Sequence, residues 1–247
     1  MGRKGEKKHL KRLPAPKTFR IPRKQAKFTG RPSPGPHRLS ECIPLFIVIR
    51  DLLRWANTGK EAKKIIASGK CEIDGRVVRN YRFPVGLMDV LTIPSVDERF
   101  RILPHTGPPL VLHPISEEEA NIKLIKIIHK TIVKESEIQL NLHDGRNKLL
   151  LEEEFEDMDP KLYTIGSTLK MTVPEQQIQD LYSLEPGVSA LVTAGRNIGL
   201  QGRVLELERK MGRGTAILQA TQEEIFRTAL EFIFVVGRND PVISLPT

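Results

Sequence analysis

The stretch TGKEAKKIIASGKCEIDGRVV, residues 58–78, decides the fold of the first half of the chain. Thr58 followed three residues later by Glu61 makes a capping-box pair, so a helix begins at residue 59. On that helix Ala62, Ile65 and Ile66 share one face, while Lys60, Lys63 and Lys64 share the opposite one. Gly69 supplies the left-handed residue that ends it. Asp74-Gly75, set between Cys71-Glu72-Ile73 and Arg76-Val77-Val78, predicts a tight hairpin. Upstream, Pro44 suits a first helical turn, and Ile49, Leu52, Leu53 and Ala56 recur at helical spacing until Asn57-Thr58-Gly59 breaks them. The expected unit is a helix, turn, helix and hairpin over residues 41–104. Three lysines on a helix are by themselves only a solvated face. The neighbouring Lys70, Arg76 and Arg79 extend them into a candidate basic surface.

The preceding forty residues, MGRKGEKKHLKRLPAPKTFRIPRKQAKFTGRPSPGPHRLS, hold thirteen Lys and Arg against one acid, Glu6, for a net +12 where the whole chain is +9. Everything after residue 40 therefore sums to −3. Pro14, Pro16 and Pro22, then Gly30, Pro32, Pro34, Gly35 and Pro36, forbid one regular helix. Leu10, Leu13, Phe19, Ile21 and Phe28 are too few for a core, so residues 1–40 are expected as an extended arm that orders on a polyanion. Candidate phosphate ligands are Arg3, Lys4, Lys7, Lys8, Lys11, Arg12, Lys17, Arg20, Arg23, Lys24, Lys27, Arg31, His37 and Arg38. Phe19 and Phe28 are candidate stacking rings for bases. No apolar segment of seven to fifteen residues follows a short basic start, so a secretory signal is not expected. Glu6 stands where a myristoylated terminus carries Ser or Thr, and the prolines break any amphipathic membrane helix. The run Ile43–Ile49 is far short of a membrane span. Nucleic acid is the polyanion that this charge footprint fits.

The helix, turn, helix and hairpin order resembles the small RNA-binding domain found in ribosomal proteins, tyrosyl-tRNA synthetases and pseudouridine synthases. The segments HLKRLPAPKTFRIPRK, RPSPGPHRLSECIPL and GKEAKKIIASGKCEIDGRVVRNYRFPVGLMDVL, with the later QLNLHDGRN and FVVGRNDPVISLP, resemble the S4e family of small-subunit ribosomal proteins, in order and along the whole chain. Phe19 and Phe28 stand where that family often has a larger aromatic. The resemblance implies a non-catalytic cytoplasmic protein that binds small-subunit rRNA and neighbouring ribosomal proteins. It implies no cofactor, metal, membrane or small-molecule substrate.

Residues 105–175 read as a β-rich domain. Ser116 and Glu119 form a second capping box for a short helix. Ile122–Val133 fits neither period cleanly and is read as a buried strand for its β-branched content. Ile138–Leu142 alternates, Asp144-Gly145 is a hairpin turn into Leu149–Leu151, and Leu169, Met171 and Val173 make a further strand. Glu152, Glu153, Glu154, Glu156, Asp157 and Asp159 are read as a solvated loop, since consecutive acids diverge and lack chelating spacing. His105, His113, His129 and His143 have no catalytic partner at a recognisable interval. Cys42 and Cys71, 29 residues apart, read as small core side chains of a reducing compartment.

Residues 176–247 hold glycines at 187, 195, 199 and 202 between strand residues Leu191-Val192 and Val204-Leu205. Such glycines permit positive φ and close backbone approach to a ligand. The stretch is similar to the KOW motif of SH3-like barrels, which implies RNA contact at Arg196, Asn197 and Arg203. Ala194 in place of a glycine, and Leu200-Gln201 without a basic residue, weaken that contact. No Gly-Lys-Ser/Thr follows, which excludes a P-loop. Arg209, Lys210 and Arg213 add a basic patch. Phe232–Val236 is a buried strand, and Val242–Pro246 is expected to dock as a last short one.

The expected architecture is α+β and multi-domain: arm 1–40, helical RNA-binding module 41–104, central β-rich domain 105–175, and a KOW-type SH3-like barrel with C-terminal strands 176–247. Two other classes make demands that the chain does not meet. An RNA-modifying enzyme needs a pocket-forming catalytic domain, and a transcription-elongation factor needs a polymerase-binding one; the remaining segments supply neither.

Overall fold

The computed structural model describes residues 9–107, 109–133, 137–150, 162–210, 213–220 and 224–246. Arg3, Lys4, Lys7 and Lys8 lie outside the described residues, as does the acidic run from Glu152 to Asp159.

From His9 onward the basic arm is folded against the helical module, not extended. Strands β1 (His9–Lys11) and β2 (Phe28–Gly30) pair antiparallel, and a 3-10 turn spans Lys17–Phe19. Phe19 is fully buried, and Ala15 and Ile21 are nearly so, in one core with Ile43, Leu45, Ile47, Ile49 and Ile66. These side chains are too few to build a core, but they complete one whose larger part the module supplies. Arg23 closes the arm's loop by donating to the carbonyls of Arg12 (3.1 Å), Leu13 (2.9 Å), Ala15 and Pro16 (3.2 Å). Arg12 donates to Pro22 (2.7 Å) and Phe28 (3.3 Å), so two of the arm's cations hold its fold.

Strand β3 (Cys42–Pro44) places Pro44 before the helix, not in its first turn. Helix α1 (Leu45–Ile47) continues as a π-helical turn over Val48–Leu52. Helix α2 (Gly59–Ala67) starts at the expected capping box: Thr58 Oγ1 accepts from Glu61 N at 3.2 Å, and Glu61 Oε2 accepts from Thr58 N at 3.3 Å. Gly69 has φ +76°, and Asp74 and Gly75 have φ +51° and +71°, the mirror-image turn the hairpin requires. Strands β4 (Glu72–Ile73), β5 (Arg76–Val77), β7 (Val90–Ile93), β8 (Glu98–Leu103) and β9 (Val111–Pro114) form an antiparallel sheet in the order β5-β4-β7-β8-β9, while β6 (Pro84–Gly86) pairs with β3. The first sheet thus runs past residue 104, because β9 pairs with β8 through Leu103–Val111.

Ser116 caps the short helix α3 (Glu117–Ala120) by accepting from Glu119 N at 3.3 Å. A second antiparallel sheet, β12-β11-β10-β13-β14, follows from β10 (Ile122–Ile132), β11 (Ile138–Leu142), β12 (Asn147–Leu150), β13 (Thr168–Thr172) and β14 (Ile178–Tyr182). The third comprises β15 (Ser189–Val192), β16 (Gln201–Lys210), β17 (Arg213–Ala220), β18 (Ile225–Ala229) and β19 (Ile233–Gly237), in the order β18-β17-β16-β15-β19. Residues 242–246, the described part of the tail, add no strand. Ile243 is buried, Ser244 Oγ donates to Glu119 Oε2 at 2.7 Å, and Gln201 Nε2 donates to the Pro246 carbonyl at 2.7 Å. Side-chain anchors replace the expected ladder. Both cysteines are buried free thiols, and burial pushes Cys42 up to about 12 and Cys71 up to about 11, so neither is a nucleophile at neutral pH.

Candidate nucleic-acid interface

Helix α2 buries Ala62 and Ile66 and leaves Lys60, Lys63 and Lys64 exposed, as its amphipathic pattern requires. Lys63 Nζ lies 4.5 Å from the centre of the Tyr81 ring, and Tyr81 meets Phe46 edge-on at 6.1 Å. Phe46 also carries the arm: a Cβ at Gly30, the last residue of β2, would sit 2.5 Å from Cε1 of Phe46. One aromatic pair therefore has the lysine helix on one side and the arm's hairpin on the other. Lys70, Arg76 and Arg79 are exposed beyond α2, and in the arm Lys11, Lys17, Arg20, Lys24, Lys27 and Arg38 are exposed, with Arg31 half-buried. Such cations retain their hydration and are available to a polyanion.

Two arm residues, Phe19 and His37, are placed otherwise than the sequence suggested. Phe19 is a core side chain, not a free stacking ring, because the 3-10 turn points it into the module. Phe28 does remain exposed, beside His9 at 5.9 Å and Lys27 at 5.5 Å. His37 is buried, its Nε2 bonded to Asp89 Oδ2 at 2.9 Å and its ring lying where a Gly86 side chain would be. It ties the arm down and does not face solvent.

His37 belongs to an ion cluster that sequence reasoning missed. Lys123 of β10, fully buried, donates to Asp74 Oδ2 at 2.7 Å and Asp89 Oδ1 at 2.6 Å, with Asp144 Oδ2 at 3.5 Å. Arg146 pairs with Asp74 and lies 3.1 Å from Asp144. Asp74 and Asp89 come from the first sheet's turns, whereas Lys123, Asp144 and Arg146 come from the second sheet. The cluster therefore bolts arm, module and central sheet together. Burial alone would push the Lys123 ammonium down, but Asp89, Asp74 and Asp144 outweigh it and hold it raised. Burial would likewise push Asp89 up, and Lys123 and His37 hold it down. His143 accepts from Lys126 N through Nδ1 at 3.1 Å, so its Nε2 proton donates to the Leu87 carbonyl at 3.2 Å. Burial, with Lys123 nearby, pushes it down to about 4. Asp74 and Asp144 had been readable only as turn residues preceding glycine. Nothing in the sequence says that two such turns face one lysine.

A cavity of about 360 Å³ opens beside this cluster, lined by Pro36, Asp74, Arg76, Phe83, Asp144 and Arg146. Its carboxylates are already engaged in ion pairs, which leaves none free for acid–base work. Among the described residues no three His, Cys, Asp or Glu side chains are placed to hold a metal ion.

Arg203 is exposed on β16, and Arg196 is exposed in the connection between β15 and β16. Asn197 instead donates to the Arg227 carbonyl at 3.2 Å, and Arg203 reaches Asn239 at 3.3 Å. The close approach that the glycines permit is to the chain itself: a Cβ at Gly199, whose φ is +84°, would lie 2.4 Å from Thr106 N. The strand backbone carries Arg209, Lys210 and Arg213 on the β16-β17 ladder.

Comparison with known proteins gives the same answer along the whole chain. A model described as Ribosomal family S4e matches residues 96–178, and one described as RS4NT (NUC023) domain matches residues 4–40. Small ribosomal subunit protein eS4 of Ignicoccus hospitalis is 44% identical over 245 residues, covering 98% of this chain and 96% of its own. The protein of that name from Methanocaldococcus jannaschii is 41% identical, covering 99% and 100%. The crystal structure of the 30S ribosomal protein S4e from Thermoplasma acidophilum superposes with a TM-score of 0.66 at 32% identity, covering 78% of this chain and 93% of that one. Likeness of this extent defines the class, a ribosomal protein and not an enzyme. The chain belongs to ribosomal family S4e.

Proposed function

We propose that this chain is a structural constituent of the small ribosomal subunit that binds folded rRNA and stabilises it without catalysis. The observation that carries this reading is the aromatic pair Phe46–Tyr81, flanked by the exposed lysines of α2 on one side and by the basic arm on the other. Lys60, Lys63, Lys64, Lys70, Arg76 and Arg79 take one run of phosphates, and the exposed arm cations take another. Phe28 offers a stacking face. Arg196, in a KOW-type loop of an SH3-like barrel, and Arg203, on the strand that follows it, add a third contact. Backbone and shape carry most recognition of this kind, and several linked weak contacts bind far more tightly than one. The same architecture reads as an arm, an RNA-binding module, a central β-rich domain and a barrel, acting in the cytoplasm beside other ribosomal proteins.

Sucrose-gradient fractionation of a cell lysate tests this reading, by counting the chain per small subunit before and after a high-salt wash. About one copy per subunit that survives the wash is the expected result. A substoichiometric amount that washes off would make it a transient factor.

A further inference from the structure

Two arginines stand at helix ends where backbone geometry favours glycine. Arg20 follows the 3-10 turn Lys17–Phe19 with φ 50° and ψ 32°, and its amide donates back to the Lys17 carbonyl at 3.2 Å. Arg54 follows the π-helical turn with φ 57°, and the next amide, Trp55 N, returns to the Ile49 carbonyl at 3.0 Å. Both are left-handed caps, the position that closes a helix most cheaply with no Cβ. Of the four other non-glycine residues in this region of backbone among the described residues, Gln176 is half-buried and uncharged, and the remaining three have an evident return from the fold. Asp74 is in the buried ion cluster, Met88 is a fully buried core side chain, and Asp97 pairs with Arg99 at 3.0 Å. Arg20 and Arg54 have no such return. Both are exposed, and neither side chain has a hydrogen bond or ion pair with a described residue.

Favourable interaction with a helix C-terminus does not account for them. The helical segments are one or two turns long, and Arg50 already stands in the last turn before Arg54. Arg50 is bound to its neighbour Asp51 by two hydrogen bonds of 2.9 and 2.7 Å. Its guanidinium also reaches the start of α2, lying 3.5 Å from where a Gly59 Cβ would be. The end of the first helix therefore abuts the beginning of the lysine helix, and Arg54 is the uncommitted guanidinium at that junction. Strain at an exposed residue, with nothing in the fold to offset it, points to a ligand outside the fold.

We infer that Arg20 and Arg54 are phosphate-contacting residues, kept as arginine at glycine-favouring positions because an RNA backbone takes up their guanidinium groups. Arg54 carries no candidate motif in the sequence and enlarges the α2 surface by one cation. This inference rests on the RNA reading above: it adds Arg54 to the contacts, and gives Arg20, already among the arm's exposed cations, a reason to be arginine at that position.

The test measures binding of the full chain to an in vitro transcript of small-subunit rRNA across a salt series, alongside thermal unfolding. The wild type is compared with Arg54→Gly, Arg20→Gly and a Lys60→Gln/Lys63→Gln/Lys64→Gln variant. Each glycine variant is expected to bind roughly three- to ten-fold more weakly near physiological salt, with a salt slope shallower by about one. Its Tm should be unchanged or raised by up to about 2 °C, because glycine removes the strain. Unchanged RNA affinity in the glycine variants, with weakened binding in the triple lysine variant, overturns this inference and leaves the RNA reading standing. A lowered Tm overturns it too, since the arginines would then be structural caps. A wild-type chain that shows no salt-dependent RNA binding overturns both.

Discussion

Lys63 and Lys123 are the same side chain in opposite surroundings. Lys63 sits on the open face of α2, its ammonium over the Tyr81 ring and in reach of solvent. Lys123 is fully buried between carboxylates drawn from two sheets. A buried ammonium is tolerable only where its partners are fixed, and removing one member of such a group strands the rest. An exposed one loses little with its charge, which makes it free to serve a partner. The chain thus spends its cations in two ways: some hold its modules together, and others remain available outside.

Lys123→Met should break that contrast most sharply. It leaves Asp74 and Asp144 buried with Arg146 alone and Asp89 buried with His37 alone, at a cost of about 3–5 kcal/mol. Lys63→Met should change stability by no more than about 0.5 kcal/mol. Denaturant unfolding of the two variants measures the difference, and equal losses would mean that the cluster does not join the modules.

Acid titration sharpens the same comparison. His143 stays neutral when folded down to about pH 4, against an ordinary 6.5. Between those values the unfolded chain binds the extra proton, so stability rises with pH there and is lost as pH falls from 6.5 towards 4. Full burial would make this about 3 kcal/mol, and the ring's partial exposure brings it to about 2 kcal/mol. His143→Asn should flatten the stability profile in that window. A profile unchanged by the substitution would remove His143 from the account. The smallest expected effect is at the helix cap: Thr58→Ala should cost about 1 kcal/mol, read by the same unfolding experiment, with the α2 lysines still exposed.

Local rules read the module well. The capping box at Thr58 and Glu61, the positive φ at Gly69 and the hairpin turn at Asp74-Gly75 each depend on residues within a few positions, and each stands as expected. The alternation at 138–142 and the β-branched run from Ile122 likewise gave strands. The arm was misread for the opposite reason. Its own apolar residues cannot form a core, but Phe19 and Ile21 needed only to join one. Val242–Pro246 was read as a strand from its composition, whereas Ser244 and Gln201 anchor it through side chains 125 and 45 residues away from their partners.

The sequence by itself determined the charge division between arm and body, the amphipathic helix with its lysine face, and the turns that fold each sheet. These are matters of composition, period and neighbouring residues. Tertiary structure alone decided which charges are for sale to a partner and which are consumed within: Lys123 against Asp74, Asp89 and Asp144, His37 against Asp89, Arg23 against four carbonyls of its own arm. The physical reason is that a charge's role depends on its burial and on its partners, and those are fixed only when turns from different sheets are brought to one point.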